Sequence, residues 1–256
     1  MSNTAPLAWP EGVARHVLDR VDSTNAEALR MAPHLSGPTW IMARQQQAGR
    51  GRRGRAWTDP PGNFAASLLL RPEGTASDAA LLSFVAALAV HDALHALCGP
   101  QLPLALKWPN DVLLNGGKLS GILLESTGGS GQVAALAVGI GINLTTAPDP
   151  GAVEPQALRP VSLLAETGLV VTQDEMLEAL AAGFDHWWRQ MRSYGFAPIR
   201  TAWLARAAKL GETITARTGT AGITGRFDGI DDSGALILTT PRGRQAIPAA
   251  DIHFGG

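Results

Sequence analysis

Gly49-Arg50-Gly51-Arg52-Arg53-Gly54-Arg55-Ala56-Trp57 places four arginines within six positions, spaces them with glycine and ends on an indole. Glycine lets a backbone turn tightly and approach a ligand closely, guanidinium groups form bidentate hydrogen bonds to phosphate or carboxylate, and an indole offers a flat face for stacking. Two readings are open for the stretch alone: a loop that closes over an anion, or a solvated basic turn of the Arg-Gly type found in RNA-binding tails. Thr39 to Arg44 reads as a strand that leads through Gln45-Gln46-Gln47-Ala48 into the loop. Thr58-Asp59-Pro60-Pro61-Gly62-Asn63 closes it, before a second strand from Phe64 to Leu70. The connection is too long for a tight hairpin, and loops of that length in compact domains are commonly functional.

The bulk composition makes the arginine cluster a local device. The chain has 256 residues, with 21 Lys and Arg against 22 Asp and Glu and a net charge of −1, so no general positive field draws it to nucleic acid. One cysteine, Cys98, excludes an internal disulfide framework and a cysteine-based zinc site, in keeping with a cytoplasmic protein. The longest apolar run, Ala79 to Leu97, is interrupted by Ser83, His91, Asp92 and His95 and reads as a core helix rather than a membrane span. His91 and His95 stand one helical turn apart with no carboxylate motif beside them, and read as packing residues rather than metal ligands.

Outward from the loop, His16 to Val21 reads as an opening strand, followed by Asp22-Ser23-Thr24-Asn25. Thr24 and Glu27 have capping-box spacing, which predicts a helix from about Asn25 to Met31, stopped by Pro33. The hydroxyls of Ser23 and Thr24 then lie at a helix N-terminus, either as caps alone or as contacts for a polar guest. Ser77 or Asp78 is expected to cap the long helix. Leu104 to Lys107 is a short strand running into Trp108-Pro109-Asn110-Asp111. Val112 to Leu114, Asn115-Gly116-Gly117 and Lys118 to Glu125 have the form of a β-hairpin, because Asn-Gly suits the positive φ angles of a tight turn. That hairpin brings Lys107 and Lys118 near each other, with Asp111 between them in sequence.

Val133 to Leu144 reads as a further arm, with Gly139 and Gly141 on alternate positions; glycines so placed strip one face of side chains and mark a close approach of ligand or backbone. Thr145 to Pro160 reads as a loop. A capping box at Thr172 and Glu175 opens a helix to about Ser193 with Gly195 past its end, on which Trp187, Trp188 and Met191 read as core. A helix from about Ala197 to Ala208 follows. Beyond Gly211, strand candidates at Glu212 to Ala216, Ala221 to Phe227, Ala235 to Thr240 and Gln245 to Ile247 suggest a small barrel-like module.

Taken together and in order, five motifs resemble those of the bacterial biotin protein ligases: Asp22-Ser23-Thr24-Asn25, Gln46 to Trp57, Lys107-Trp108-Pro109-Asn110-Asp111, Gly117-Lys118-Leu119-Ser120-Gly121-Ile122-Leu123 and Gly139-Ile140-Gly141-Ile142-Asn143. Each is weak alone; the ordered set, spanning roughly residues 13 to 254, is specific. The resemblance implies an α+β fold of the class II synthetase-like, biotin/lipoate ligase type. Its central mixed β-sheet, flanked by helices, would occupy residues 1–208, and a C-terminal SH3-like β-barrel residues 209–256. It implies formation of biotinyl-5′-AMP from biotin and ATP, then transfer of the biotinyl group to one lysine of a biotin carboxyl carrier protein.

By the same resemblance, Ser23, Thr24 and Gln46 contact the biotin head group, with Asn25 beside them, and Arg50, Gly51 and Arg52 lie along its carboxylate and phosphate end in company with Arg53 and Arg55. Lys118 stabilises charge in both transition states, and Lys107 and Asp111 neutralise anions or anchor metal or loop. Trp57 and Asn143 hold the adenine, and Gly121, Gly139 and Gly141 complete the binding residues. Mg²⁺ is expected to travel mainly on the nucleotide, with Asp111 as its one candidate protein ligand. A mobile arginine lid would shield the adenylate from water. Only 21 residues precede Asp22, so the helix-turn-helix domain of the repressor members is not expected, nor is specific DNA binding or a membrane anchor. A homodimer would be in keeping with the family. The rival within the same catalytic fold is a lipoate ligase or octanoyl transferase, against which the arginine-glycine loop and the C-terminal module speak.

Overall fold

A computed structural model describes residues 8–129, 132–149, 151, 157–218 and 221–254. A seven-stranded mixed sheet has the order β1-β2-β3-β7-β6-β5-β4. Its strands are β1 (Ala14–Val21), β2 (Thr39–Gln46), β3 (Phe64–Leu70), β4 (Leu104–Lys107), β5 (Asp111–Leu114), β6 (Gly117–Gly129) and β7 (Gln132–Ile142). β1 runs parallel to β2 and every other neighbour pair is antiparallel. The helices are α1 (Thr24–Met31), α2 (Ala76–Ala80), α3 (Leu82–Cys98), α4 (Leu163–Thr167), α5 (Gln173–Tyr194) and α6 (Phe196–Leu204). A second sheet, all antiparallel and ordered β11-β10-β9-β8-β12, holds β8 (Thr213–Thr218), β9 (Ala221–Ile230), β10 (Leu236–Thr240), β11 (Gly243–Ile247) and β12 (Asp251–Phe254). The mixed sheet flanked by helices and the small antiparallel sheet are the expected architecture.

Side chains alternate across a strand, and here the alternation divides two kinds of surface. Phe64, Ala66, Leu68 and Leu70 on β3, with Leu136, Val138, Ile140 and Ile142 on β7, join one core with α3 and α5. The intervening residues of the paired strands are small except for Leu69: Ala65 and Ser67 on β3, Ala135, Ala137, Gly139 and Gly141 on β7. α1 covers part of this second face, packing Ala28 and Ala32 against Ile41, Leu69, Ala135 and Ala137. The remainder of that face is left to the arginine loop and the site. α3 is buried along nearly all its length, as its apolar run requires, so its composition reflects a core position between sheet and α5.

Several boundaries differ from the sequence reading, each for a local reason. Ser23, not Thr24, caps α1 by accepting from the Ala26 N–H, because the Thr24 hydroxyl is engaged elsewhere. Thr75, with Asp78 closing a capping box, starts the apolar helix, which breaks at Leu81 into α2 and α3. α6 stops at Leu204 rather than Ala208: Leu106 on β4 donates to the Arg206 carbonyl at 2.8 Å and accepts from the Ala208 N–H at 2.8 Å, so these groups serve the sheet edge. The Asn115-Gly116 turn is as read, with φ of 50° and 74°. β12 matches none of the strand candidates.

Candidate functional site

The N-terminus of α1 is held by a buried polar network. Gln46, at the end of β2, accepts through Oε1 from the Thr24 N–H at 2.8 Å and the Thr24 hydroxyl at 3.1 Å. Ser67 donates to Asn25 Oδ1 at 2.6 Å and lies 2.8 Å from the Thr24 hydroxyl. The Asn25 amide donates to the Leu123 carbonyl and to Glu125 at 2.8 Å. Gly139 is bare for this reason, since a Cβ there would sit 2.3 Å from Asn25 Oδ1. The close approach that its alternate spacing announced is to a side chain, and Asn25 is a strut beneath the cleft with both ends of its amide in use.

The arginine loop is ordered as a miniature hairpin. The Gly51 N–H donates to the Arg55 carbonyl at 2.7 Å and the Trp57 N–H to the Gly49 carbonyl at 2.9 Å, with Arg50 and Ala56 bridged and a turn at Arg52–Gly54. Its closing stem is tied at Asp59, whose carboxylate accepts from the Gln46 N–H at 2.9 Å. The other Asp59 oxygen is buried without a partner, and burial pushes this carboxyl up to about 6 against that one hydrogen bond. Trp57 lies on Gly121 and Gly141, cross-strand partners on β6 and β7; a Cβ on Gly141 would stand 2.5 Å from the indole and one on Gly121 3.1 Å. Two opposed glycines thus make the flat seat that an indole needs.

Lys107, Asp111 and Lys118 meet as the hairpin predicted. Lys118 Nζ lies 2.6 Å from Asp111 Oδ1 and Lys107 Nζ 3.5 Å from Asp111 Oδ2. Burial pushes the Asp111 carboxyl up, but the two ammonium groups outweigh it and hold Asp111 below the ordinary carboxylate range. Lys107 is pushed down by burial, only partly countered by Asp111. Lys118 keeps a third of its side chain accessible (32%) and lies 5.8 Å over the Trp57 ring. A β-bulge aims it. The register between β5 and β6 slips at Val112/Leu113, so Leu119 and Ser120 both turn to the core while Lys118 and Gly121, three residues apart, share the site face.

Asn143, just past β7, donates to the Val161 carbonyl at 3.0 Å, while its Oδ1 is buried without a partner. A cleft of about 440 Å³, a size suited to a small ligand, joins these groups. Of the residues marked in the sequence, Ser23, Thr24, Asn25, Gln46, Arg50, Gly51, Arg52, Arg55, Trp57, Lys107, Asp111, Lys118, Gly121, Gly139, Gly141 and Asn143 line it. Arg53 does not: it pairs with Asp251 at 2.5 Å without itself reaching the cleft. Sequence reasoning missed Ser67, Glu125 and the wall formed by Asp251, Ile252 and His253. Ser67 carried a signal, being the polar residue in an apolar strand. The others carried none, because they are recruited from distant strands by the tertiary fold.

A seven-stranded mixed sheet with such a cleft on its bare face, followed by a small antiparallel sheet, defines a ligase of the biotin/lipoate A/B type. Residues 17–143 match the biotin/lipoate A/B protein ligase family and residues 209–255 the biotin protein ligase C-terminal domain. The chain belongs to the biotin protein ligases. It is 65% identical to the biotin–[acetyl-CoA-carboxylase] ligase of Paracoccus denitrificans, over 94% of this chain and 100% of that protein. It is 33% identical to the bifunctional ligase/repressor BirA of Bacillus subtilis (strain 168), over 96% of this chain and 76% of that protein. Among solved structures, the Aquifex aeolicus biotin protein ligase in complex with biotin and ATP superposes with a TM-score of 0.78 at 28% identity, covering 93% of this chain and 97% of that one.

Proposed function

We propose that this ligase joins biotin to ATP as biotinyl-5′-AMP and then transfers the biotinyl group to a lysine of a biotin carboxyl carrier domain. The observation that carries the reading is the pair of ammonium groups, Lys107 and Lys118, gathered on one buried carboxylate beneath an arginine loop. In the first step a biotin carboxylate oxygen bonds to the α-phosphorus, the bond to the bridging oxygen breaks, and pyrophosphate leaves. A carboxylate approaching a polyphosphate is repelled, so fixed positive charge at the meeting point lowers the barrier. Lys118 is assigned to that point, with Arg52 and Arg50 along the phosphates and Lys107 behind. In the second step the carrier amine bonds to the acyl carbon, AMP leaves, and the amine loses a proton; Lys118 again faces the charge that develops.

Ser23, Thr24 and Gln46 are assigned to the biotin head group, because their polar atoms converge at the N-terminus of α1. Asn143 Oδ1 is a buried acceptor lacking a donor, and the adenine amino group would supply one, with Trp57 beside the ring. Mg²⁺ suits the phosphates rather than the protein. Among the described residues no three His, Cys, Asp or Glu side chains cluster to hold a metal, and Asp111 is spent on two ammonium groups. We therefore assign Asp111 to fixing the lysines instead of binding metal. Residues 1–208 would form the reacting body and 209–256 a module closing its wall, in a cytoplasmic enzyme supplied with ATP. Incubation with biotin, Mg-ATP and a purified carrier domain should add one biotinyl mass to the carrier, dependent on ATP. Equal labelling with lipoate in place of biotin would count against the assignment.

A further inference from the structure

Every arginine of the loop is drawn toward a carboxylate, and the two carboxylates belong to different sheets. Arg50 lies 3.2 Å from Glu125 on β6, the same side chain that braces Asn25. At the tip, Arg53 Nη1 lies 2.5 Å, Arg55 Nη2 3.1 Å and Arg52 Nη1 3.9 Å from Asp251 of β12, and Arg52 also donates to the Ala250 carbonyl at 3.4 Å. Three guanidinium groups on so short a turn repel one another, and the charged form of Arg52 is disfavoured first by burial and then by Arg53 and Arg55. Asp251 opposes that repulsion for all three, with Asp111 adding to its effect on Arg52.

Asp251 is itself rigidly held. β12 pairs with β8, Ala250 and Ile252 are buried, and the small sheet is fastened to the body where Trp108 Nε1 donates to the Gly234 carbonyl at 2.9 Å. With 21% of its side chain exposed, Asp251 is better shielded than an ordinary surface ion-pair partner.

We propose that Asp251 is a positioning residue for the reaction: from the C-terminal sheet it latches the tip of the arginine loop, and thereby sets where Arg52 and Trp57 stand over the cleft. The proposal rests on the ligase reading above, in which the loop covers the adenylate. It gives the small module a definite task, since the loop belongs to one sheet and its latch to the other.

Amide hydrogen exchange tests the latch without any reaction. The N–H groups of Gly51 and Trp57 are bonded within the loop, whereas that of Leu68 belongs to the core strand β3 and serves as the internal control. Asp251→Asn should speed exchange at Gly51 and Trp57 about five-fold, the scale of a partly shielded ion pair, with Leu68 unchanged and Asp251→Glu close to the parent. Because Asp251 also acts electrostatically on Lys107, the double variant Arg53→Gln/Arg55→Gln is needed. It should show the same acceleration, and adding Asp251→Asn to it should add little. In single-turnover assays the Asp251→Asn enzyme should release biotinyl-adenylate about five-fold faster with biotin affinity unchanged.

Unchanged protection in Asp251→Asn, or full additivity with the arginine variants, would overturn the latch. Normal retention of adenylate despite a loosened loop would overturn its role in the reaction. A parent that formed no adenylate would instead sink the ligase reading, and the exchange data would still decide the latch.

Discussion

The two faces of the seven-stranded sheet are encoded by the same strands and do opposite work. On one face β3 and β7 present Phe64, Leu68, Leu70, Leu136, Val138 and Ile140 to α3 and α5, all nearly or wholly buried. On the other they present Ser67, Gly139 and Gly141, and what fills the space is a polar strut and an indole delivered from elsewhere. Burial of the first face drives folding, since each buried large apolar side chain contributes about 1.5–3 kcal/mol. The second face gives up that contribution to make a cleft. Stability and chemistry are thus separated by one residue along a strand.

A side chain placed on the bare face should have the largest effect. Gly141→Ala should force the Trp57 indole off its seat and slow adenylate formation about 100-fold, a cost of the size expected when reacting groups are displaced by about an ångström. Thermal unfolding should hardly change, because the backbone of Gly141 lies in an ordinary strand conformation. Adjacent residues give the next contrast. Leu68→Ala should cost about 2–5 kcal/mol of stability by urea unfolding while the folded enzyme keeps its turnover. Ser67→Ala should cost about 1–3 kcal/mol, by leaving Asn25 Oδ1 without its donor, and should weaken biotin binding.

Asp59 supplies a pH test on the stem of the loop. Its folded carboxyl at about 6 lies above the unfolded value near 3.8, so the native state binds the proton more tightly. Its contribution to stability is therefore fully present below the unfolded value and is lost as pH rises through about 6. Relative to Asp59→Asn, the parent should lose stability across that window in pH-dependent urea melts. The smallest effect belongs to Ser120, which the bulge turns into the core with its hydroxyl unpartnered. Ser120→Ala should raise stability by about 1 kcal/mol without altering catalysis.

Much of this division is legible in the amino-acid sequence. The alternate glycines of Gly139-Ile140-Gly141 announce a strand with one bare face, and the Asn-Gly turn brings Lys107, Asp111 and Lys118 together, whereas the division of Phe64 to Leu70 between two faces is not visible in a stretch of small and apolar residues. The phase of Lys118 is not legible, because a bulge at Leu119 breaks the alternation without any glycine or proline to mark it. Nor is the cap of α1, where the spacing to Glu27 favours Thr24 and the role falls to Ser23 because the Thr24 hydroxyl is taken by Gln46, 22 residues away. The latch at Asp251 lies 198 residues beyond Arg53, a separation over which no local pattern carries information.

On the proposed assignment, chemistry resides in the charges collected on the bare face, with Lys118 foremost. Lys118→Ala, measured by the pre-steady-state rate of biotinyl-adenylate formation beside the equilibrium affinity for biotin, tests it most directly. The expected result is a rate reduced by about 10²–10³-fold with biotin affinity within a few-fold of the parent, as for loss of one group that stabilises a developing charge. Equal losses in rate and affinity would contradict it and reduce Lys118 to a binding residue.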